Sequence, residues 1–371
     1  MGLNIAFFGS SLVSSYWNGA ATYYRGIVKA LHAHGHRVTF YEPNAYDRQN
    51  HRDIDDPDWA RVVVYAVNDD SGVMRALEQA QRADLVIKAS GVGVFDELLE
   101  RAVLDLRNLR NAVVFWDVDA PATLDRVHNN PSDPFHEHIP RYDLILTYGG
   151  GDQVIDAYHK LGARKCVPIY NALDPKEHHR VAPDPRYEGL LGFMASRLPD
   201  REQRVEEFFL QVAAAMPDQT FVLGGTGWSE RALPENVRAV GHVFGRDHNA
   251  FNSTPRAVLN VNRESMVRYG FSPPTRIFEA AGAGACIITD RWQGIEMFLE
   301  PGSELLVVDD GASLKGELQR LDEATARAIG QAAQRAVLAH HTYEHRSALL
   351  ESTISALTKR AYPNAERQLA R

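Results

Sequence analysis

Arg276 and Glu279 stand three residues apart in the segment Phe271-Ser272-Pro273-Pro274-Thr275-Arg276-Ile277-Phe278-Glu279-Ala280-Ala281-Gly282-Ala283-Gly284, which runs into the apolar stretch Ala285-Cys286-Ile287-Ile288-Thr289-Asp290. That spacing places both side chains on one helix face. The pattern reads as loop, helix, tight turn and buried strand. Ser272 suits an N-cap, and the two prolines suit a first helical turn, whose N–H groups have no intrahelical partner. The positive end of such a helix faces whatever its loop encloses, and the Glu279 carboxylate offers two acceptors for the paired hydroxyls of a sugar or ribose. The competing reading is a solvated surface ion pair.

Other groups capable of chemistry follow strand-like runs. Arg197 and Arg201 lie four apart at the entrance to a helix, where two guanidinium groups suit a diphosphate and can replace a metal ion. Pairing with Asp200 or Glu202 is the plainer alternative. Gly224-Gly225-Thr226-Gly227-Trp228 forms a turn whose backbone, at Gly225 and Gly227, can approach a nucleobase; Trp228 either stacks on the base or plugs the core. Asn260, Asn262 and Arg263 end a strand. Asp117 and Asp119, in Trp116-Asp117-Val118-Asp119-Ala120-Pro121, lie just past another, where they can deprotonate or orient a hydroxyl, hold a metal, or cap a loop. Near the amino end, Gly9-Ser10-Ser11 and Tyr16-Trp17-Asn18-Gly19 precede a helix whose first N–H groups can cradle a phosphate or sugar carboxylate, with Gly19 allowing close approach. The paired histidines lack zinc spacing, so no metal site is expected.

These groups need a scaffold. Strand-like runs at 5–8, 37–41, 62–67, 85–89, 112–116, 144–147 and 167–170 alternate with amphipathic stretches at 22–33, 73–82, 95–105 and 153–161. Short apolar runs between helices indicate a parallel sheet covered on both faces. Residues 171–189 hold three prolines and little apolar periodicity, which predicts a linker. Alternation resumes at 190–195, 220–223, 257–261, 285–289 and 305–308. The expectation is α/β with two doubly wound Rossmann-like domains: 1–170, a linker at 171–189, 190–340, and a 341–371 segment with a helix crossing back and a frayed tail. Ligands bind doubly wound sheets at the carboxyl ends of the strands, which predicts an interdomain cleft.

At 371 residues, with 44% hydrophobic and 24% charged residues, the chain has the make-up of a two-domain globular protein. A net charge of −8 argues against nucleic acid as a partner, and any anion site must be built locally. Two cysteines in separate apolar runs argue against a disulfide framework and for a reducing, cytoplasmic setting. Neither a signal peptide nor a transmembrane segment is read from the sequence.

The half of the chain from about residue 190 resembles the C-terminal domain of GT-B glycosyltransferases, and within them the CgeB-like (spore-maturation-type) family. The likeness is carried by Ala195-Ser196-Arg197-Leu198-Pro199-Asp200-Arg201, Val222-Leu223-Gly224-Gly225-Thr226-Gly227-Trp228, Ala257-Val258-Leu259-Asn260-Val261-Asn262-Arg263, Arg276-Ile277-Phe278-Glu279-Ala280, Thr289-Asp290-Arg291-Trp292-Gln293-Gly294-Ile295-Glu296 and Phe298-Leu299-Glu300-Pro301-Gly302-Ser303-Glu304. The resemblance implies metal-independent transfer of a sugar, of the hexosyltransferase type, from a nucleotide-diphosphate sugar to an acceptor hydroxyl, without a cofactor. It implies a diphosphate held by Arg197, Arg201, Gly19 and Arg276, and a nucleoside held by Glu279, Thr275, Gly225, Gly227, Trp228, His242 and Asn262. A similar Asp-before-Pro segment in the family implies Asp119, or else Asp117, as the candidate group to deprotonate or orient the acceptor hydroxyl, with the identity of the base left open. Ser196 stands where related families carry glycine. Phe271 stands eight residues before Glu279, where many retaining GT-B enzymes carry a second Glu, so stereochemistry stays open. The acceptor, whether glycan, protein or metabolite, is not specified. A sugar-nucleotide epimerase and a non-catalytic nucleotide-sugar-binding or assembly protein are the alternatives.

Overall fold

The computed structural model describes residues 2–16 and 18–361; the tail expected to fray beyond 361 lies outside them. The chain divides into two compact units. Unit 1 takes residues up to Tyr170 together with the helix Tyr343–Ala361, and unit 2 takes Asn171–Thr342.

In unit 1 the strands are β1 (Asn4–Phe8), β2 (Arg37–Pro43), β3 (Arg61–Tyr65), β4 (Leu85–Ala89), β5 (Ala112–Asp117), β6 (Leu144–Thr147) and β7 (Cys166–Pro168). They form one parallel sheet in the order β3-β2-β1-β4-β5-β6-β7. Both faces of β4 and β5 are buried, which explains why these strands read as unbroken apolar runs. The order reverses between β1 and β4, so the loops after those strands frame the natural ligand crevice of this unit. The helix Tyr343–Ala361 packs back here. The ring of Tyr343 lies where a Cβ on Gly26 would come within 2.2 Å of it, so Gly26 in the helix Ala21–Ala33 makes room for it.

Unit 2 holds β8 (Leu191–Met194), β9 (Phe221–Gly224), β10 (Val237–Gly241), β11 (Ala257–Asn260), β12 (Ile287–Asp290) and β13 (Leu306–Val308), parallel in the order β10-β9-β8-β11-β12-β13. Its reversal falls between β8 and β11. β10 is absent from the sequence-based expectation because it is an edge strand that leaves Arg238 and Ala239 exposed, and a half-covered strand carries no apolar run. Residues 171–189 carry a short 3₁₀ turn and are tied to unit 2: Val181 N–H donates to Ser253 Oγ at 3.3 Å, and Asp184 N–H to Thr254 Oγ1 at 2.9 Å. No helix among the described residues is long and apolar enough to cross a membrane.

Candidate functional site

In unit 2 the helix bearing Arg276 and Glu279 spans Thr275–Gly282, with Thr275 as its half-buried first residue. It starts later than the sequence suggests. Ser272 is not its N-cap; its hydroxyl donates to the Gly270 carbonyl at 2.9 Å, and Pro274 occupies the cap position in extended conformation. The cause is steric: a residue before proline is driven out of the α region, and Pro273 and Pro274 impose this on Ser272 and Pro273 in turn.

Two guanidinium groups converge at the crevice of unit 2. Arg201 follows β8 on the helix that opens at Pro199, and donates to the Ser196 carbonyl at 2.9 Å. Burial pushes its pKa down to about 10, and the neighbouring Arg276 pushes the same way. Burial also lowers the pKa of Arg276, which Glu279 partly offsets. The Nε of Arg276 is sealed from solvent without a hydrogen-bond partner. A pair of like charges with an unused buried donor favours a bound anion that serves both. Arg197 is placed differently, because its Nη2 lies 2.6 Å from Glu202, which also takes Arg231 at 2.8 Å. Of the cations expected at a diphosphate, Arg197 is thus neutralised within the protein, whereas Arg201 and Arg276 are not paired with carboxylates in this way.

Glu279 sits one turn along from Arg276, with His178 Nε2 at 3.8 Å from its Oε1. His248 is held down in pKa first by burial, with Glu279 opposing, and its Nε2 lies 3.3 Å from the Val243 carbonyl. In the sequence His178 stands out only beside His179, as a pair without zinc spacing, and His248 does not stand out. His178 lies in the stretch read as linker, and only the packing of that stretch against unit 2 brings it to Glu279. His242, in the exposed loop after β10, meets the half-exposed ring of Phe244 edge-on at 4.6 Å.

Three expected nucleotide contacts are occupied by the protein itself. Trp228 is buried in the core and its indole N–H donates to the Ala195 carbonyl at 2.7 Å, so it is a plug and not a stacking platform. Gly225, at φ 121°, nests against its own chain: a Cβ there would lie 2.1 Å from the Ala195 oxygen. Gly227, at φ 84°, likewise faces Arg197, with Arg197 Cβ 3.1 Å away. These glycines let the loop after β9 lie on the loop after β8, and close ligand approach is not what requires them. Asn262 is buried, with its N–H on Asp290 at 3.1 Å and its Oδ1 accepting from Asn260 at 3.0 Å; its Nδ2 has no partner. Asp290 also accepts from Arg204 at 2.6 Å, which fastens the helix of Arg201 to the ends of β11 and β12.

In unit 1, Asp117 is removed from the candidate bases. It is fully buried and accepts from Ser90 Oγ at 2.8 Å, Thr123 Oγ1 at 2.9 Å, the Asp119 N–H at 3.1 Å and the Tyr158 hydroxyl. Fully buried, with three donors on Oδ1 and the Tyr158 hydroxyl on Oδ2, it is sealed from any substrate hydroxyl. Asp119 is exposed at the cap of the helix Ala120–Asn129, without a side-chain capping bond. Gly19 is exposed, and a Cβ on it would meet nothing within 4 Å, so the approach to the helix Ala21–Ala33 is open. Among the described residues no three His, Cys, Asp or Glu side chains gather as a metal set.

Two doubly wound parallel sheets of this order define the GT-B fold, and solved structures of that fold superpose on nearly the whole chain. Anabaena HepE in complex with UDP and glucose matches at 15% identity and a TM-score of 0.68, over 95% of this chain and 100% of its own. Sucrose-phosphate synthase from Thermosynechococcus elongatus matches at 14% and 0.66, over 96% and 99%. An alpha-glucosyltransferase in complex with UDP-glucose and DNA containing an abasic site matches at 12% and 0.69, over 96% and 100%. In sequence, residues 201–352 match the family described as glycosyl transferase-like. No curated protein matches the chain in sequence.

Proposed function

We propose that this chain is a glycosyltransferase that moves a sugar from a nucleotide-diphosphate donor to an acceptor hydroxyl, with unit 2 holding the donor and unit 1 the acceptor. One observation carries the reading. Arg276 is near enough to Arg201 for its charge to hold the Arg201 pKa down, its Nε is buried without a partner, and Glu279 stands one turn away to accept from ribose hydroxyls. As the bond between the sugar carbon and the diphosphate oxygen breaks, its electron pair passes to the diphosphate, whose growing charge the two guanidinium groups stabilise. The acceptor oxygen forms the new bond and its proton passes to Asp119.

In this reading the nucleotide is UDP and the sugar a hexose, supported by the UDP and UDP-glucose in the complexes of HepE and the alpha-glucosyltransferase. The paired guanidinium groups supply the counter-charge that a divalent ion would otherwise bring, so transfer is metal-independent. Six ordered sequence blocks between 195 and 304 support a place near the CgeB-like glycosyltransferases. Two buried, unpaired thiols support a reducing, cytoplasmic setting.

The test is a thermal-shift panel of UDP, TDP, GDP, ADP and CMP, with Mg²⁺ or EDTA, on the wild type and Glu279→Ala. A ligand at ~100 times its Kd adds ~2.7 kcal/mol of stability. UDP should stabilise the wild type equally in EDTA and much less in the variant. Absence of a shift with every nucleotide would sink the proposal.

A further inference from the structure

Four non-glycine residues among those described have left-handed backbone: Tyr46 (φ 56°), Asp47 (57°), Phe95 (58°) and Phe271 (44°). Three of them belong to unit 1, in the loops after β2 and β4, beside the reversal of its sheet; Phe271 follows the helix Glu264–Tyr269 of unit 2. A side chain in this region is strained and persists only where its surroundings over-determine it.

Tyr46 is over-determined in this sense. Its hydroxyl donates to the Gly93 carbonyl at 2.7 Å, and Gly93, at φ 100°, leaves space for the ring that a Cβ, 2.6 Å from Tyr46 Cε2, would take. The Arg48 guanidinium lies 5.0 Å from the ring centroid, and its Nη1 reaches back to the Ser10 carbonyl at 3.1 Å. The loops after β1, β2 and β4 are thereby stitched around one ring. Yet Tyr46 remains 53% exposed, so the core gains little from holding it. Tyr16 repeats the arrangement on the loop after β1. It is 40% exposed, and its ring stacks on His51 at 4.0 Å with a 20° interplanar angle. Ser14 Oγ fixes that histidine's segment by donating to the His51 carbonyl at 2.7 Å.

We propose that this edge of unit 1 is a stacking platform for a neutral carbohydrate acceptor, with Tyr16 and Tyr46 as its two faces. The inference rests on the transferase reading and names the acceptor class within it. A pyranose ring presents an apolar C–H face bordered by hydroxyls. Rigid tyrosine rings match it with apolar area at low entropic cost, and the exposed Asp47 stands next to Tyr46 in the chain. The cations of these loops are already engaged: Arg48 is buried against Tyr46 and Ser10, and Arg52 pairs with Asp56. A nucleic acid needs cations available to its phosphates and is disfavoured here. A lipid acceptor would need a wider apolar surface than two tyrosine rings.

Saturation-transfer NMR with maltose, cellobiose and diacetylchitobiose, in the presence of UDP, tests this on the whole protein. At least one saccharide should receive saturation at its ring C–H protons. Tyr46→Gly, which keeps the left-handed backbone and removes the ring, and Tyr16→Ala should each weaken binding about tenfold. UDP affinity should stay within about twofold, since these residues belong to unit 1 and the donor groups to unit 2. The proposal is overturned if no saccharide binds, if both variants bind saccharide like the wild type, or if a thymidine oligonucleotide or p-nitrophenol is the species bound. Failure of UDP to bind would instead strike the transferase reading, and saccharide binding to unit 1 would still be scored.

Discussion

The carboxyl edges of the two sheets share a topology and differ in what they leave unsatisfied. In unit 2 the unspent quantity is positive charge: burial and then Arg276 hold the Arg201 pKa down, and the buried Arg276 Nε lacks a partner. In unit 1 the charges are spent, with Asp117 surrounded by four donors and Arg25 on Asp53 at 2.7 Å. What unit 1 leaves open is aromatic surface, at Tyr16 and Tyr46. A doubly wound sheet thus fixes where a ligand sits but not its charge; the loop residues decide that.

The sharpest way to break this contrast is to remove the charge from unit 2. Arg201→Ala with Arg276→Ala should lower kcat/KM by about 10³-fold or more, on the scale of losing two charge-assisted contacts to a leaving group. Arg197→Ala should cost far less, because Glu202 already occupies it; steady-state kinetics on the two variants would settle the order. If Arg197→Ala proved the more damaging, the division between spent and unspent charge would fail. Next in size is Asp119→Asn. It should lower kcat by about 10²-fold, the scale of general-base catalysis, and leave UDP affinity unchanged by calorimetry. An equal loss of UDP binding would show that Asp119 serves the donor.

The smallest effect concerns the back of unit 1. His34 pairs with Glu344 and, at 2.7 Å, with Glu351, which also takes His36 at 2.9 Å; Ser347 Oγ is 3.1 Å from His34. Glu344, then Glu351, raises the His34 pKa against some opposing burial. A histidine raised in the folded state stabilises fully below its unfolded pKa near 6.5, and this is lost as pH rises through the higher folded value. Hydrogen exchange in the helix Tyr343–Ala361 should therefore quicken as pH rises from below 6.5 through the raised folded value, by ~0.5 kcal/mol or less because the partners are partly exposed. Unit 2 amides should not follow it.

Much of this was legible in the sequence. Apolar runs such as Leu85–Ala89 announce buried parallel strands because both faces are covered, and Glu279 is conspicuous on a short helix of small residues. β10 was not legible, because an edge strand needs apolar residues on one face only. Nor were the fates of Trp228 and Asp117. A tryptophan after a glycine turn, or an aspartate after a strand, has the same sequence whether its N–H or carboxylate meets a ligand or the protein's own groups. His178 illustrates the remaining gap: it joins Glu279 from about a hundred residues away in sequence, through a segment with no periodicity to read.

The chain enters and leaves unit 2 at almost one point: Leu173 N–H donates to the His341 carbonyl at 2.8 Å, and Leu173 bridges Thr342. Unit 2 is thus an insertion within the sequence of unit 1. During synthesis every strand of unit 2 is made before Tyr343–Ala361, so unit 2 can fold as a nascent domain while unit 1 still waits for its last helix. A truncation before Tyr343 would injure the domain that begins the chain and spare the one beside the cut.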